Sequence, residues 1–205
     1  MTRRVGVLIS GRGSNLQALI DAQTPDCAYR VSFVLSNRAG AGGLGRAETA
    51  GIATAVINHR SYGPDRVGFE EALDGRLRDA GIEVIALAGF MRVLTPWFVR
   101  RWAGRMINIH PSLLPLFPGL DTHVRAIAAG VKLHGCSVHW VTEGVDEGGI
   151  IGQAAVPVLA GDTPDALAAR VLAAEHALYP ACLDLVCGGR PPGPSAGAQL
   201  ANGWL

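Results

Sequence analysis

Short, continuous apolar runs alternate with amphipathic segments through the first 110 residues, and few folds tolerate that alternation. "RVGVLIS" (4–10) reads as a buried strand, and "YRVSFVLS" (29–36), "ATAVIN" (53–58), "EVIALAG" (83–89) and "RMINIH" (105–110) read as four further strands. The stretches 14–22, 43–51, 65–80 and 95–102 between them read as helices. Local punctuation agrees. Ser14 or Asn15 can cap the first helix, Gly51 and Gly81 end the second and third, and Pro96 opens the fourth. Phe69, Leu73 and Leu77 fall on one face of the third. Strands apolar on both faces need cover on both faces, which is the condition of a parallel sheet between two helical layers.

The second half breaks the rhythm. "KLHGCSVHWV" (132–141) and "GGIIGQAAVPV" (148–158) are separated by a loop too short for a helical crossover, so they should pair antiparallel. A long helix follows over about 164–186, with Thr163 as its cap. The expected fold is therefore α/β and three-layered. Its sheet is twisted and mostly parallel, of about seven strands, with an antiparallel pair in the C-terminal half and helices on both faces. The 205 residues favour one domain over 1–188, followed by a Gly/Pro-rich tail over 189–205 that is loosely ordered or packed on the surface.

Charge removes some classes of partner. Eighteen basic and 17 acidic residues give a net charge of +1 with no block of one sign, which does not suit a nucleic acid or an acidic membrane. No apolar run is long enough to cross a bilayer, and "MTRRVGVLIS" leads directly into a patterned strand, unlike a signal peptide. The four cysteines (Cys27, Cys136, Cys182 and Cys187) form no C-x-x-C pair and no zinc-like cluster. A cytoplasmic protein with free thiols and no metal is expected.

Two stretches carry chemistry. "SGRGSN" (10–15) joins a strand to a helix, where backbone N–H groups and glycines suit one phosphate; an ordinary tight βα turn explains it equally well. "INIHPSLLPLFPGLDTH" (107–123) sets Asn108 and His110 two apart at the end of a parallel strand. They therefore share a face, at the sheet edge where α/β proteins bind ligands. An amide beside an imidazole can hold an oxyanion and move a proton; the alternative is a hydrogen-bonded core pair. The three prolines that follow suit a stiff loop. Asp146, in "TEGVDEGG" (142–149), reads as a turn residue unless it reaches His110. "AGFMRVLTP" (88–96) reads as core or as an apolar pocket for a flat ring, with Arg92 facing an anion or a surface carboxylate. His134 and His139 face opposite sides of their strand and cannot ligate one metal; His139 is the better placed for the site.

In order, "VLISGRGSNLQALIDA", "LAGFMRVLTP", "INIHPSLLPLFPGLDTH", "HGCSVHWVTEGVDEGGIIGQAAVPV" and "AEHALYP" resemble the phosphoribosylglycinamide formyltransferase family, folate-dependent enzymes of purine biosynthesis. The resemblance runs from about Val5 to Pro180. It implies a catalytic set of Asn108, His110 and Asp146. It also implies that Gly13, Ser14 and Asn15 hold the phosphate of glycinamide ribonucleotide, with Glu175 and the preceding Leu172, Ala173 and Ala174 beside it. The co-substrate 10-formyltetrahydrofolate would lie against Met91, Arg92, Val93, Leu94, Asn108, Thr142, Glu143, Gly144, Val145 and Asp146, with Arg66 a further contact. Residues 1–104 would then be the ribonucleotide phosphate-binding half and 105–188 the catalytic and folate-binding half. Leu116 and Asp121 depart from the family, which often has Lys and His there.

The reaction so implied is direct formyl transfer between two small molecules by a monomer or homodimer. It needs no covalent acyl-enzyme; Cys136 is the one thiol near enough to check. Two rivals stand beside it: a hydrolase releasing formate from the same folate, and a nucleotide-sensing module without turnover. Relatives that formylate initiator tRNA carry a further C-terminal domain, for which the chain is expected to be too short.

Overall fold

A computed structural model describes residues 1–189; the expected tail lies outside the described residues beyond Gly189. The strands are β1 (Arg3–Ile9), β2 (Tyr29–Ser36), β3 (Ala53–Val56), β4 (Val84–Leu87), β5 (Met106–His110), β6 (Leu133–Trp140) and β7 (Ile150–Pro157). The helices are α1 (Ser14–Asp21), α2 (Gly42–Thr49), α3 (Arg66–Asp79), α4 (Pro96–Arg101), α5 (Thr122–Ala128) and α6 (Pro164–Cys187). One sheet holds all seven strands in the order β3-β2-β1-β4-β5-β6-β7. The first five run parallel; β6 is antiparallel to β5 and β7 to β6. The expected fold class holds, and β6 alone runs against the rest.

Alternation along each strand divides the core in two. Val5, Val7 and Ile9 of β1 and Ile107 and Ile109 of β5 pack on the side covered by α1, α5 and α6. Leu8 and Met106 point the other way, toward α3 and α4. On α3, Phe69, Leu73 and Leu77 are almost completely buried, each contributing about 2 kcal/mol by leaving water. Asp65 caps this helix through Gly68 N (2.9 Å) and Thr163 caps α6 through Ala166 N (3.2 Å).

Two local expectations need correction. The N-cap of α1 is Gly13, left-handed at φ 74°, and no side chain caps the helix, so neither Ser14 nor Asn15 does so. The other is α5, which sequence patterning did not resolve from the stiff loop before it. It starts after Asp121, itself left-handed at φ 56°, in a seven-residue stretch that buries only Thr122 and Ala126. So short a buried stripe gives almost no periodic signal.

The direction of winding reverses between β1 and β4. The chain goes outward through β2 and β3 and then returns to β4 on the opposite side of β1. Such a reversal opens a crevice at the carboxyl ends of the parallel strands. Ser10 ties the two loops there: its N–H donates to the Gly89 carbonyl (3.2 Å), and its hydroxyl accepts from Met91 N (2.8 Å).

Candidate active site

At the end of β5, Asn108 and His110 share the parity of Met106 and so face the α3 and α4 side. Register fixes their neighbours on β6: Asn108 lies opposite His139, and His110 opposite Ser137. Asn108 Nδ2 is 3.1 Å from His139 Nε2. His139 Nδ1 lies 2.9 Å from the Trp140 carbonyl, to which it donates, so in the neutral ring the Nε2 lone pair accepts one amide hydrogen of Asn108, and in the charged ring Nε2–H faces Asp146. The second amide hydrogen has no such partner on the β6 side.

The loop after β6 doubles back over this face. It starts beside the beginning of β5, where Val141 N meets the Met106 carbonyl (2.9 Å). Asp146, left-handed at φ 58°, then brings its carboxylate to the other end of β5. Its Oδ2 is 3.3 Å from His110 Nδ1, with the two side chains only 7% and 10% exposed. The same oxygen accepts from Gly119 N at 2.9 Å, and Oδ1 lies 3.6 Å from His139 Nε2. Burial pushes the Asp146 carboxyl up, but His139, the Gly119 N–H and the charge of His110 outweigh it and hold the carboxyl below its ordinary value. The opposite nitrogen of His110, Nε2, is 3.1 Å from the Phe117 carbonyl. Both ring nitrogens thus face acceptors, an arrangement that an imidazolium satisfies.

The Pro-rich loop is pinned along its length. The Ser137 hydroxyl donates to the Ser112 carbonyl (2.7 Å) and accepts from Leu114 N (2.9 Å). Gln153 Nε2 donates to the Leu114 carbonyl (2.9 Å), and Ser112 Oγ to that of Leu116 (2.6 Å). Phe117, whose carbonyl meets His110, is held at φ 53°, a costly conformation for a bulky residue. Sequence patterning brought Asn108, His110 and His139 toward one place, but the parts played by Ser137, Gln153, the Phe117 carbonyl and the Gly119 amide depend on strand register and leave no motif.

The glycine loop lies at the end of β1. Gly13 leaves the first-turn amides of α1 without a side-chain cap. A Cβ on Gly13 would come within 2.6 Å of Gly43 Cα, so glycine is required both by backbone angle and by the close approach of α2. Asn15 Nδ2 donates to Glu175 Oε2 on α6 at 2.7 Å. Burial raises the Glu175 carboxyl above its ordinary value against the opposing effect of that hydrogen bond. Of the residues preceding it, Leu172 and Ala174 are half-buried and Ala173 is exposed. Asn15, Glu175 and the open helix terminus are therefore brought together.

Between these two ends stand residues 91–94. Met91 and Val93 are 59% and 60% exposed, whereas Leu94 is buried in the core. Arg66 donates to the Val93 carbonyl, and the Arg92 guanidinium lies over the Phe69 ring at 5.4 Å. Thr142, Glu143 and Val145 are exposed and Gly144 half-buried; Glu143 pairs with Arg100 at 2.9 Å. Cys136 is fully buried, and burial pushes its thiol far above the ordinary range, so it is no nucleophile. Among the described residues no group of His, Cys, Asp and Glu is arranged to hold a metal ion, and no helix is long and apolar enough to cross a membrane.

Residues 3–183 match the formyl transferase family. The phosphoribosylglycinamide formyltransferase of Escherichia coli is 49% identical over 185 residues, covering 90% of this chain and 87% of that protein. A human trifunctional purine biosynthetic protein is 52% identical over 187 residues, but these make up only 18% of its length. Among solved structures, glycinamide ribonucleotide transformylase 1 of Symbiobacterium toebii superposes with a TM-score of 0.89 at 48% identity, covering 92% of this chain and 89% of that one. The phosphoribosylglycinamide formyltransferase of Coxiella burnetii gives 0.90 at 44% identity, covering 97% and 99%. With the match spanning both the glycine loop and the Asn108–His110–Asp146 cluster, the chain belongs to the formyl transferase family.

Proposed function

We propose that this protein transfers the formyl group of 10-formyltetrahydrofolate to the primary amine of glycinamide ribonucleotide. The products are formylglycinamide ribonucleotide and tetrahydrofolate, in purine biosynthesis. The observation that carries the proposal is the buried contact of His110 with Asp146 beside Asn108, on the same sheet edge as an uncapped helix terminus.

The geometry supports the following division of roles. The uncapped amides of α1, with Ser14 beside them, receive the phosphate, and Glu175 beside Asn15 accepts hydrogen bonds from the ribonucleotide. Met91 and Val93 offer exposed apolar surface to the flat pterin ring, with 142–146 as the opposite wall. When the amine attacks the formyl carbon, the carbonyl oxygen gains charge. Asn108 stabilises it with its free amide hydrogen, and cationic His110 does so by its charge, contacts of a kind often worth about 3 kcal/mol each. Asp146 stabilises the cationic ring. Cationic His110 gives its Nε2 proton to the departing folate nitrogen, after Nε2 has released the Phe117 carbonyl, and the neutral ring then takes up the proton lost by the amine, which restores the cation. Holding both substrates in line supplies much of the remaining acceleration.

Release of tetrahydrofolate from 10-formyltetrahydrofolate, followed with and without glycinamide ribonucleotide, tests this directly. Release only with the ribonucleotide, with formylated product in equal amount, is expected. Release without it identifies a hydrolase, and ribonucleotide binding without any release identifies a sensing module.

A further inference from the structure

Three residues on one face of α3 grip three residues of the segment that precedes α4. Arg66, Phe69 and Glu70 are spaced i, i+3 and i+4, and therefore lie side by side. Arg66 donates to the Val93 carbonyl, and Phe69 carries the Arg92 guanidinium over its ring at 5.4 Å. Glu70 accepts from Thr95 N at 2.8 Å with Oε1 and from the Thr95 hydroxyl with Oε2. It is 2% exposed. A carboxylate so deeply buried is costly unless both oxygens are used, and here both serve one residue. Thr95 is the N-cap of α4, yet its hydroxyl makes no capping bond within that helix because it is given to Glu70.

The other side of the segment is bare. Met91 and Val93 leave 59% and 60% of their surface in water. Two exposed apolar side chains on a backbone anchored from behind form a platform set before any ligand arrives. Such pre-organisation raises affinity by removing the ordering cost of binding.

We propose that Glu70 is a positioning residue for the folate co-substrate: through Thr95 it fixes the 91–94 platform and thereby sets affinity for the pterin, without touching either substrate. This rests on the function proposed above. It predicts a selective effect, since Glu70 and Thr95 have no contact with the glycine loop or with the His110 cluster.

The test is steady-state kinetics on the intact protein with each substrate varied in turn. Wild-type turnover comes first, and its absence counts against the proposed function rather than the clamp. With turnover established, Glu70→Ala should raise KM for 10-formyltetrahydrofolate about tenfold, with KM for the ribonucleotide and kcat each within about twofold. Glu70→Gln keeps both contacts, its carbonyl accepting from Thr95 N and its amide donating to the hydroxyl, and should restore most of the affinity. Thr95→Val should produce a smaller rise, about threefold, and add nothing to Glu70→Ala in the double variant, because both remove parts of one unit. A fall in kcat with KM unchanged, equal rises in both KM values, or no rescue by glutamine overturns the assignment. If Glu70→Ala does not fold, Thr95→Val and Glu70→Gln decide by the same split.

Discussion

The loop after β1 and the end of β5 lie on the same edge of the sheet and are built differently. The glycine loop works through its backbone: residues 11–13 turn the chain, and Gly13 lets α2 approach and leaves the amides of α1 open. Its turn is set by neighbours in sequence, with α2 packed against it and Glu175 of α6 reaching Asn15. The end of β5 works through side chains gathered from distant segments. Asn108 and His110 come from β5, His139 from β6 and Asp146 from the loop beyond, while Phe117 and Gly119 contribute backbone groups from the stiff loop. A site for a fixed charge needs only dipoles pointing the right way. A site where charge develops and protons move needs groups whose protonation and direction are both controlled, and these are supplied by contacts across the fold.

The sharpest way to test that division is to strip each end separately. His110→Ala should reduce kcat by about a thousandfold or more and Asn108→Ala by about a hundredfold to a thousandfold. Both should leave KM for the ribonucleotide almost unchanged. Near-full activity in His110→Ala ends the assignment of proton transfer to this residue. Asp146→Asn comes next, with kcat lower by about a hundredfold. An unchanged kcat removes Asp146 from that role. The same carboxyl carries a stability consequence. Its folded pKa lies below its unfolded value, so its contacts stabilise the protein above about pH 4 and are lost as pH falls through the folded value.

At the other end, Gly13→Ala should act on binding. Its Cβ would meet the backbone of Gly43 in a conformation, φ 74°, that alanine adopts poorly. A rise in KM for the ribonucleotide of about tenfold, with kcat within about threefold, is expected. A comparable loss in kcat would mean that the two ends are coupled and the division above is too clean.

The same contrast explains what was legible in the sequence. β1, β2, β4 and β5 announce themselves because a strand buried on both faces must be largely apolar, whereas β3, at the sheet edge, is only partly buried. The glycine loop is visible as spacing but ambiguous as function, since a tight turn needs the same glycines. Asn108 and His110 could be put on one face from their spacing alone. Their meeting with Asp146 could not, because 146 looks like a turn residue until the loop is seen to double back along β5. His139 was placed near the site only by parity; its bond to Asn108 needs the β5–β6 register. Glu70 gave no signal at all, since an acidic residue near the start of a helix is ordinary, and only its burial against Thr95 marks it.

The smallest effect concerns the histidine on the far face of β6. His134 is 1% exposed, neither ring nitrogen makes a well-formed hydrogen bond among the described residues, and the His123 ring stands edge-on at 5.3 Å. Burial, then His123 and His110, lower its pKa to about 4, against the opposing effect of the Pro111 carbonyl. A histidine held neutral this way stabilises the fold fully above its unfolded value of about 6.5, and that stability drains away as pH falls toward the folded value. Between pH 7.5 and 5 the loss amounts to about 2 kcal/mol. His134→Leu fills similar space with no nitrogen to leave unpaired, so at pH 7.5 it should change stability by less than about 1 kcal/mol. Denaturant unfolding at the two pH values should then show the variant losing about 2 kcal/mol less than wild type on acidification. An equal loss in both proteins would place the acid sensitivity elsewhere, with His123 the group next in line. His110 and Asn108 lie on the opposite face of the sheet, where the proposed chemistry takes place, so turnover at pH 7.5 should survive the substitution and separate a packing role for His134 from a chemical one.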